Sequence, residues 1–429
     1  MRSFFLNAVM PAMFNMVAMA LYNIVDRIFI GQGAGALAIC GLALTLPCVS
    51  LLGTVGTLTG VGAASRISAA ISLGNTRLAC KILGNAVFLN VILSILLIVF
   101  FYFHLDTILQ AFGGSGQTIP YAHKYLIFLI PGSLLTNLNF TFCNGMKASG
   151  FARKSMTVIL TGAIVNIILD PIFIFGFRLG IEGAAIATLL SMCVSSALIA
   201  FHFCGNANPL RLTRSCFTPH LFVLLNIIGI GMAAFIMNIT TSMVNIIMNR
   251  YLRNYGGDYA IGAYGIISCY SILISMLLMG ICQGIQPWLS YSYGSGQKQA
   301  IKKILKTAFL LGNGIALSGF LVGELFAPWL VKAFTTDSML LQLSRSGLQY
   351  TFAAMPLLGF QIIATSFFQS IRQAPKAITM NISRQFVFLI PALGFFSKAW
   401  GLTGIWLSIP FADLMASLIA LFFIRKVKL

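Results

Sequence analysis

Long apolar runs alternate with short polar punctuation from one end of this chain to the other. The runs lie at about 5–30, 37–73, 79–103, 120–147, 155–177, 181–204, 219–253, 259–295, 300–326, 342–372, 376–397 and 402–424. Each reaches the roughly 20 residues that an α-helix needs to cross a hydrocarbon layer about 30 Å thick. The expected fold is an all-α integral membrane protein with twelve transmembrane helices. The first run carries Asp26 and has no small-residue cleavage site, so it reads as a retained span rather than a signal peptide. The stretch before it, MRSFFLNAV, leaves almost no cytoplasmic tail, as an internal start would.

The pattern occurs twice. At an offset of about 222 residues, GNTRLACKIL (Gly74 to Leu83) falls on GQKQAIKKIL (Gly296 to Leu305), and Gly62 falls on Gly284 without a gap. NIVDR from Asn23 then faces NIIMN from Asn245, and Pro131 faces Pro356 at a slightly longer offset. Recurrent glycines and basic residues at loops would not hold several landmarks in nearly one register. Six spans per half is an even number, so both halves enter the membrane in the same direction as parallel repeats. Between them HFCGNANPLRLTRSCFTPH (His202 to His220) is polar, basic and interrupted by two prolines. The expected division is therefore an N-terminal six-helix lobe over 1–205, a cytoplasmic connector over 206–220 and a C-terminal six-helix lobe over 221–429. Two such lobes with a cavity between them suit alternating access.

Composition sharpens this picture. Of the residues, 59% are hydrophobic and 8% charged, with a net charge of +19. That surplus would suggest a nucleic-acid partner if it were gathered in one basic domain. Instead, with a cytoplasmic N-terminus, 19 of the 27 Lys and Arg, Arg384 among them, fall on the inner face, and 8, including Arg27, fall on the outer. This is the positive-inside bias, so both termini are expected in the cytoplasm and the basic loops against anionic lipid. No nucleic acid is expected as a partner. The nine cysteines form no CxxC pair, and no GxxxxGK[ST] loop is present, so neither a metal site nor ATP is expected. The four histidines lie at loops or span ends and form no nucleophile constellation with Ser and Asp, so the chain does not read as an enzyme.

Eight acids remain as candidates for chemistry: Asp26, Asp106, Asp170, Glu182, Asp258, Glu324, Asp337 and Asp413. Asp106, Asp258 and Asp337 fall in or beside outer loops and read as solvated. Glu182 sits in the first turn of a helix, where an acid complements the dipole. Asp26 and Asp170 differ, because each lies inside a span that runs outward, five residues before Gly31 and six before Gly176. That spacing sets the two carboxylates at one depth, roughly 8 to 9 Å below the outer helix ends. Tyr22 and Asn166 each precede an aspartate by four residues and so share its helix face. Pro171 has no N–H, which frees the carbonyl of Ile167 and should bend the helix beside Asp170. An embedded carboxylate costs roughly 2.5 to 3.5 kcal/mol and usually serves a pathway. The bland alternative has Asp26 snorkelling to the outer interface beside Arg27 and Asp170 capping a kink.

Thr188, Ser191 and Ser195 form a stripe that either packs helices or lines the same pocket. Asn238, Asn245 and Asn249 on the seventh span face a cavity or make packing hydrogen bonds. The substrate-cavity candidates are Asn238, Asn245, Ser191 and Gln361. Glu324 and Asp413 are embedded acids of the second half without matching partners in the repeat.

YNIVDRIFIGQGAGALAICGLAL from Tyr22 and NIILDPIFIFGFRLGIEGAAIAT from Asn166 resemble the signatures of the multidrug and toxic compound extrusion (MATE) transporters, especially their MepA-like bacterial branch. The resemblance implies a V-shaped pair of six-helix lobes in the bacterial inner membrane. It also implies export of small cationic amphipathic drugs or dyes in antiport with H+ or Na+, without an organic cofactor and as a monomer. The positions that match the family's coupling site are Tyr22, Asp26, Asn166, Asp170 and Thr188, with Na+ as a possible ligand of Asp26 and Asp170. Members coupled to sodium through the second lobe carry acids on the seventh and tenth spans, where this chain has Asn245, Gln349, Gln361 and Gln369. The rival function is a flippase for lipids or lipid-linked saccharides, but that task calls for embedded cations, and the first half embeds acids.

Overall fold

The computed structural model describes residues 10–204, 214–371 and 373–426. The first nine residues and most of the connector, 205–213, lie outside that range. Every described element is a helix. In chain order they are α1 (Met10–Ala34), α2 (Ala36–Leu52), α3 (Thr54–Ser72), α4 (Thr76–Ala111), α5 (Ile119–Ala148), α6 (Ala152–Pro171), α7 (Gly180–Cys204), α8 (Leu221–Gly294), α9 (Lys298–Leu325), α10 (Ala327–Lys332), α11 (Ser338–Phe352), α12 (Met355–Ser370), α13 (Ala374–Ile382) and α14 (Ile390–Lys426). A 3-10 turn spans Arg214–Phe217, and π-helical turns span Ile172–Gly176 and Ser383–Leu389. Among the described residues, eight helices are long and apolar enough to cross a bilayer. They become nine if α11 and α12, bent by 54° at their junction, form one span.

Glycine sets the punctuation. Gly257 inside α8 and Gly401 inside α14 hold φ of 68° and 58°, so each long helix is broken where an apolar run ends in the sequence. Such a φ costs a residue with a Cβ roughly 1 kcal/mol or more. The left-handed glycines also keep the repeat register. Gly35 and Gly257 are 222 residues apart, Gly74 and Gly296 are 222 apart, and Gly180 and Gly401 are 221 apart. Three residues on, Gly183 and Gly404 each lie against a carbonyl of the turn before their helix, Phe173 and Phe396 respectively, where a Cβ would collide.

The chain separates into two compact units, Leu44–Ile246 and Met1–Ala43 together with Ile247–Leu429. The cuts fall within α2 and α8 rather than at the connector. Each half of the sequence thus contributes its opening segment to the unit that holds most of the other half.

In the Leu44–Ile246 unit a buried amide splices a helix break. An unbroken helix would bond the Gly56 N–H to the Leu52 carbonyl. Asn137 of α5 stands between them instead, its Nδ2 donating to the Leu52 carbonyl at 2.9 Å and its Oδ1 accepting from Gly56 at 3.0 Å. A side chain inserted in the ladder is a recognised cause of a kink. The Asn137 amide also donates to Ser94 at 3.0 Å, and Asn90 donates to the hydroxyls of Thr59 and Thr141 at 2.8 and 2.9 Å. The network ties α3, α4 and α5 together through satisfied polar groups, the form in which buried polarity stabilises. Apolar cores flank it, around Leu83, Ile67 and Ile227 and around Leu44, Leu109 and Leu126.

In the other unit the core gathers Leu289, Ile363, Phe367 and Phe368. Here α1 packs closely on segments of the second half. Gln32 donates to the Ala333 carbonyl at 2.8 Å, and Gly31 leaves no room for a side chain against the backbone of Phe334.

Candidate functional site

The site builds up from the seam between α6 and α7. Gly162 lets α7 approach so closely that an added Cβ would strike Ser195. One turn later Asn166 is fully buried, and one turn beyond it so is Asp170. Nδ2 of Asn166 donates to Oδ1 of Asp170 at 3.0 Å, and to the Thr188 hydroxyl at 3.3 Å. One amide thus orients a carboxylate on its own helix and a hydroxyl on the next. The other end of the amide, Asn166 Oδ1, is buried with no hydrogen-bond partner. Buried acceptors are nearly always satisfied, so an open one beside a carboxylate is an oxygen available to a cation or a proton-carrying group. Ser191 turns away, donating to the Thr188 carbonyl at 2.7 Å.

The backbone next to the carboxylate is also unusual. The helix continues through Pro171 and then widens into the π-helical turn Ile172–Gly176, which closes with Phe177 N–H on the Ile172 carbonyl at 2.9 Å. The sequence predicts a bend at Pro171, and the chain answers the missing N–H with a wider turn. Turns of this kind concentrate at functional sites because they loosen the hydrogen-bond ladder.

Asn166, Asp170, Thr188 and Ser191 therefore come together in the Leu44–Ile246 unit. Tyr22 and Asp26 belong to the other unit, on α1, with Asp26 8% exposed and Tyr22 half-buried. Nη1 of Arg27 donates to the Gly265 carbonyl at 3.3 Å and to Cys269 Sγ at 3.1 Å on α8, contacts that the charge count did not foresee. A partner 238 residues away gives no local signal.

Among the cavity candidates, Asn238 is half-buried and donates to the Thr57 hydroxyl at 3.0 Å, a packing bond, while Asn245 is half-buried. Gln361 is 2% exposed in the other unit, with its Oε1 unpartnered.

The remaining acids are mostly engaged. Glu182 pairs with Lys124 at 2.9 Å. Asp258 pairs with Arg253 at 2.8 Å rather than standing in solvent, and Asp337 caps α11 by accepting from Leu340 N–H at 2.9 Å. Asp413 is no lone embedded acid. Oδ1 accepts from Nε of Arg384 at 2.6 Å, an arginine whose side chain is 33% exposed. The signal for it was two opposite charges set inside consecutive apolar runs.

A sequence model of the MatE family matches residues 11–172 and, a second time, residues 233–393. The chain belongs to the MatE family. The first match ends inside the first wide turn and the second just past the other. Among the relatives of this MatE chain, the multidrug export protein MepA of Staphylococcus aureus (strain MRSA252) is 28% identical over 415 residues, covering 96% of this chain and 91% of that protein. MepA of Staphylococcus saprophyticus is 27% identical over 414 residues, covering 96% and 90%. The structure of the MATE multidrug transporter DinF-BH in complex with a dye matches with a TM-score of 0.81 and 28% identity over 99% of this chain and 95% of that one. An inward-facing multidrug resistance MATE family transporter of the MOP superfamily matches with a TM-score of 0.89 over 94% and 93%; at 23% identity it supports the fold alone.

Proposed function

We propose that this MatE chain is a secondary active multidrug efflux transporter that exports small cationic amphipathic compounds from the cytoplasm in antiport with H+ or Na+. The observation that carries the reading is the buried Asn166–Asp170–Thr188 cluster beside a π-helical turn. Its setting supports it, because the relatives are named multidrug export proteins and a solved neighbour of 28% identity holds a dye. In this reading α1, the parts of α8 and α14 on each side of their glycines, and the bent α11–α12 pair complete twelve crossings. These form two parallel six-helix repeats, read as lobes over 1–205 and 221–429 joined by the connector 206–220, in the bacterial inner membrane with cytoplasmic termini. The transporter works as a monomer and needs no organic cofactor.

In the proposed cycle Asp170 alternates between a charged form that balances the organic cation and a form neutralised by the coupling ion. Asn166 holds the carboxylate in one orientation through both states. The open Asn166 Oδ1 and the Thr188 hydroxyl are hard oxygen ligands that suit Na+, or acceptors for a proton relay. The π-helical turn allows α6 to rearrange between the two forms without losing its whole ladder. Asp26 and Tyr22 serve the same coupling step on α1, and Asn238, Asn245, Ser191 and Gln361 contribute to the drug-contacting surface.

The test is transport of a cationic dye such as ethidium in proteoliposomes, with pH and sodium gradients imposed separately. Dye should move against its gradient under one of them. If the purified, folded protein moves dye under neither, while it translocates a labelled lipid, the efflux reading is overturned.

A further inference from the structure

Each half places a π-helical turn ahead of a left-handed glycine, at different points of the repeat, and sets a buried carboxylate near it. In the first half a π-helical turn precedes Gly180, and the helices on either side meet around Asn166, Asp170 and Thr188. In the second half a π-helical turn opens at Ser383, ahead of Gly401, and the segments on either side meet around Arg384 and Asp413. On the 221-residue register of the two left-handed glycines, Arg384 corresponds to Ala163 and Asp413 to Met192. Those positions lie one turn along the seam from Asn166 and Thr188, beside the close approach of Gly162 to Ser195.

The Asp413 side chain is 5% exposed and the Arg384 side chain 33%. No other charged side chain bonds to Asp413 among the described residues. α12, which packs on this part of α14 through Ser417 bonding to the Leu357 carbonyl, has none to offer. A carboxylate buried to this degree is costly in its charged form unless a cation compensates it, and removing one partner of such a pair is strongly unfavourable.

We propose that Asp413 is a second cation site, one helical turn along the seam from the position equivalent to Thr188, and that Arg384 is its resident cation. The guanidinium is tethered to the chain and takes, at its own position, the role that a free coupling ion has in the first half. The comparison with a coupling ion rests on the efflux reading; the cation site itself does not. A guanidinium suits the site because its planar N–H donors match a carboxylate and it sheds water more readily than an ammonium. With the site filled from within, the second half binds no exchangeable ion of its own there, and the ligand class for the vacated site is a small monovalent cation, guanidinium-like compounds above others.

Chemical rescue tests this. Arg384→Ala is purified in detergent and its thermal midpoint followed while methylguanidinium, sodium or choline chloride is added at constant ionic strength. The variant should melt below wild type, and methylguanidinium at millimolar concentration should raise its midpoint by several degrees, with choline without effect. Wild type and the double variant Arg384→Ala with Asp413→Asn should not respond. An equal response of Arg384→Ala to methylguanidinium and choline overturns the proposal, as does the same rescue in the double variant. If the single variant is too unstable to purify, methylguanidinium present throughout solubilisation should recover it where choline does not, and recovery by neither overturns the proposal equally. The readout is stability alone, so it is independent of whether the wild-type protein moves dye.

Discussion

The turn at Ile172–Gly176 follows a helix that carries its own buried acid and amide, whereas the turn at Ser383–Leu389 begins beside an arginine that reaches an acid on the next segment. In the first region the carboxylate accepts from a neutral amide whose own oxygen is buried and open. In the second the carboxylate accepts from an arginine. A π-helical turn and a left-handed glycine thus accompany both an amide-held carboxylate and an arginine-held one, at different points of the repeat.

The largest effect expected from this contrast separates function from stability. Asp170→Asn should abolish gradient-driven dye efflux and leave the folded yield near wild type, since an amide can keep the bond to Asn166 by a flip. Asp26→Asn should do the same. Asp413→Asn should do the reverse. It leaves a partly buried guanidinium unpaired and should lower stability by up to roughly 3 kcal/mol, while the protein that does fold still transports. Efflux assays set beside detergent melting curves read both. Full efflux in Asp170→Asn would break the comparison.

A smaller contrast separates a working amide from a structural one. Asn137 uses both ends of its amide to splice the Leu52–Gly56 break, and Asn166 leaves one oxygen open. Asn137→Leu strands a buried carbonyl and a buried N–H, at about 1 to 3 kcal/mol each, so its melting point should fall clearly. Asn166→Leu should cost less stability and more coupling. If both variants lost stability alike with coupling intact, Asn166 would be scaffold.

Smaller still, Gly180→Ala and Gly401→Ala should each cost about 1 to 2 kcal/mol, because both residues sit at positive φ in corresponding places. Equal losses in melting experiments would support the repeat register on which the contrast depends. A marked inequality would undermine it.

Much of this was legible in the residues. The apolar runs mark the helices, and their ends at 253 and 397 fall just before the glycine breaks at Gly257 and Gly401. Asn166 and Asp170 share a helix face at a spacing of four, so half of the cluster could be read locally. The Thr188 stripe reads first as helix packing and second as pocket lining, and the bond from Asn166 to Thr188 across the seam carries no signal in the sequence. What escaped were pairings across helices. Arg384 meets Asp413 across 29 residues and Arg27 meets Cys269 across 242. Charge counting assigns every basic residue to a membrane face and says nothing of the acid or carbonyl that an arginine inside an apolar run will meet. Asn137 escaped for another reason: nothing in a sequence shows that a side chain will enter another helix's ladder.

The weakest effect belongs to a charge pair that the first region has and the second lacks. Glu182, in the first turn of α7, meets Lys124 at 2.9 Å, and the position 221 residues on is Thr403. Both side chains keep substantial solvent contact, 58% for Lys124 and 33% for Glu182, so water and salt screen their attraction and the lysine's freedom is lost in making it. α7 is held more firmly by Gly183 against the Phe173 carbonyl and by the bond between Asn166 and Thr188. Lys124→Ala should therefore leave both efflux and the melting midpoint nearly unchanged, and any small difference should vanish at high salt. A large, salt-resistant loss would mean that the first region is fastened by charge as the second is, and that an exposed pair there does the work assigned here to the close approach of two helices.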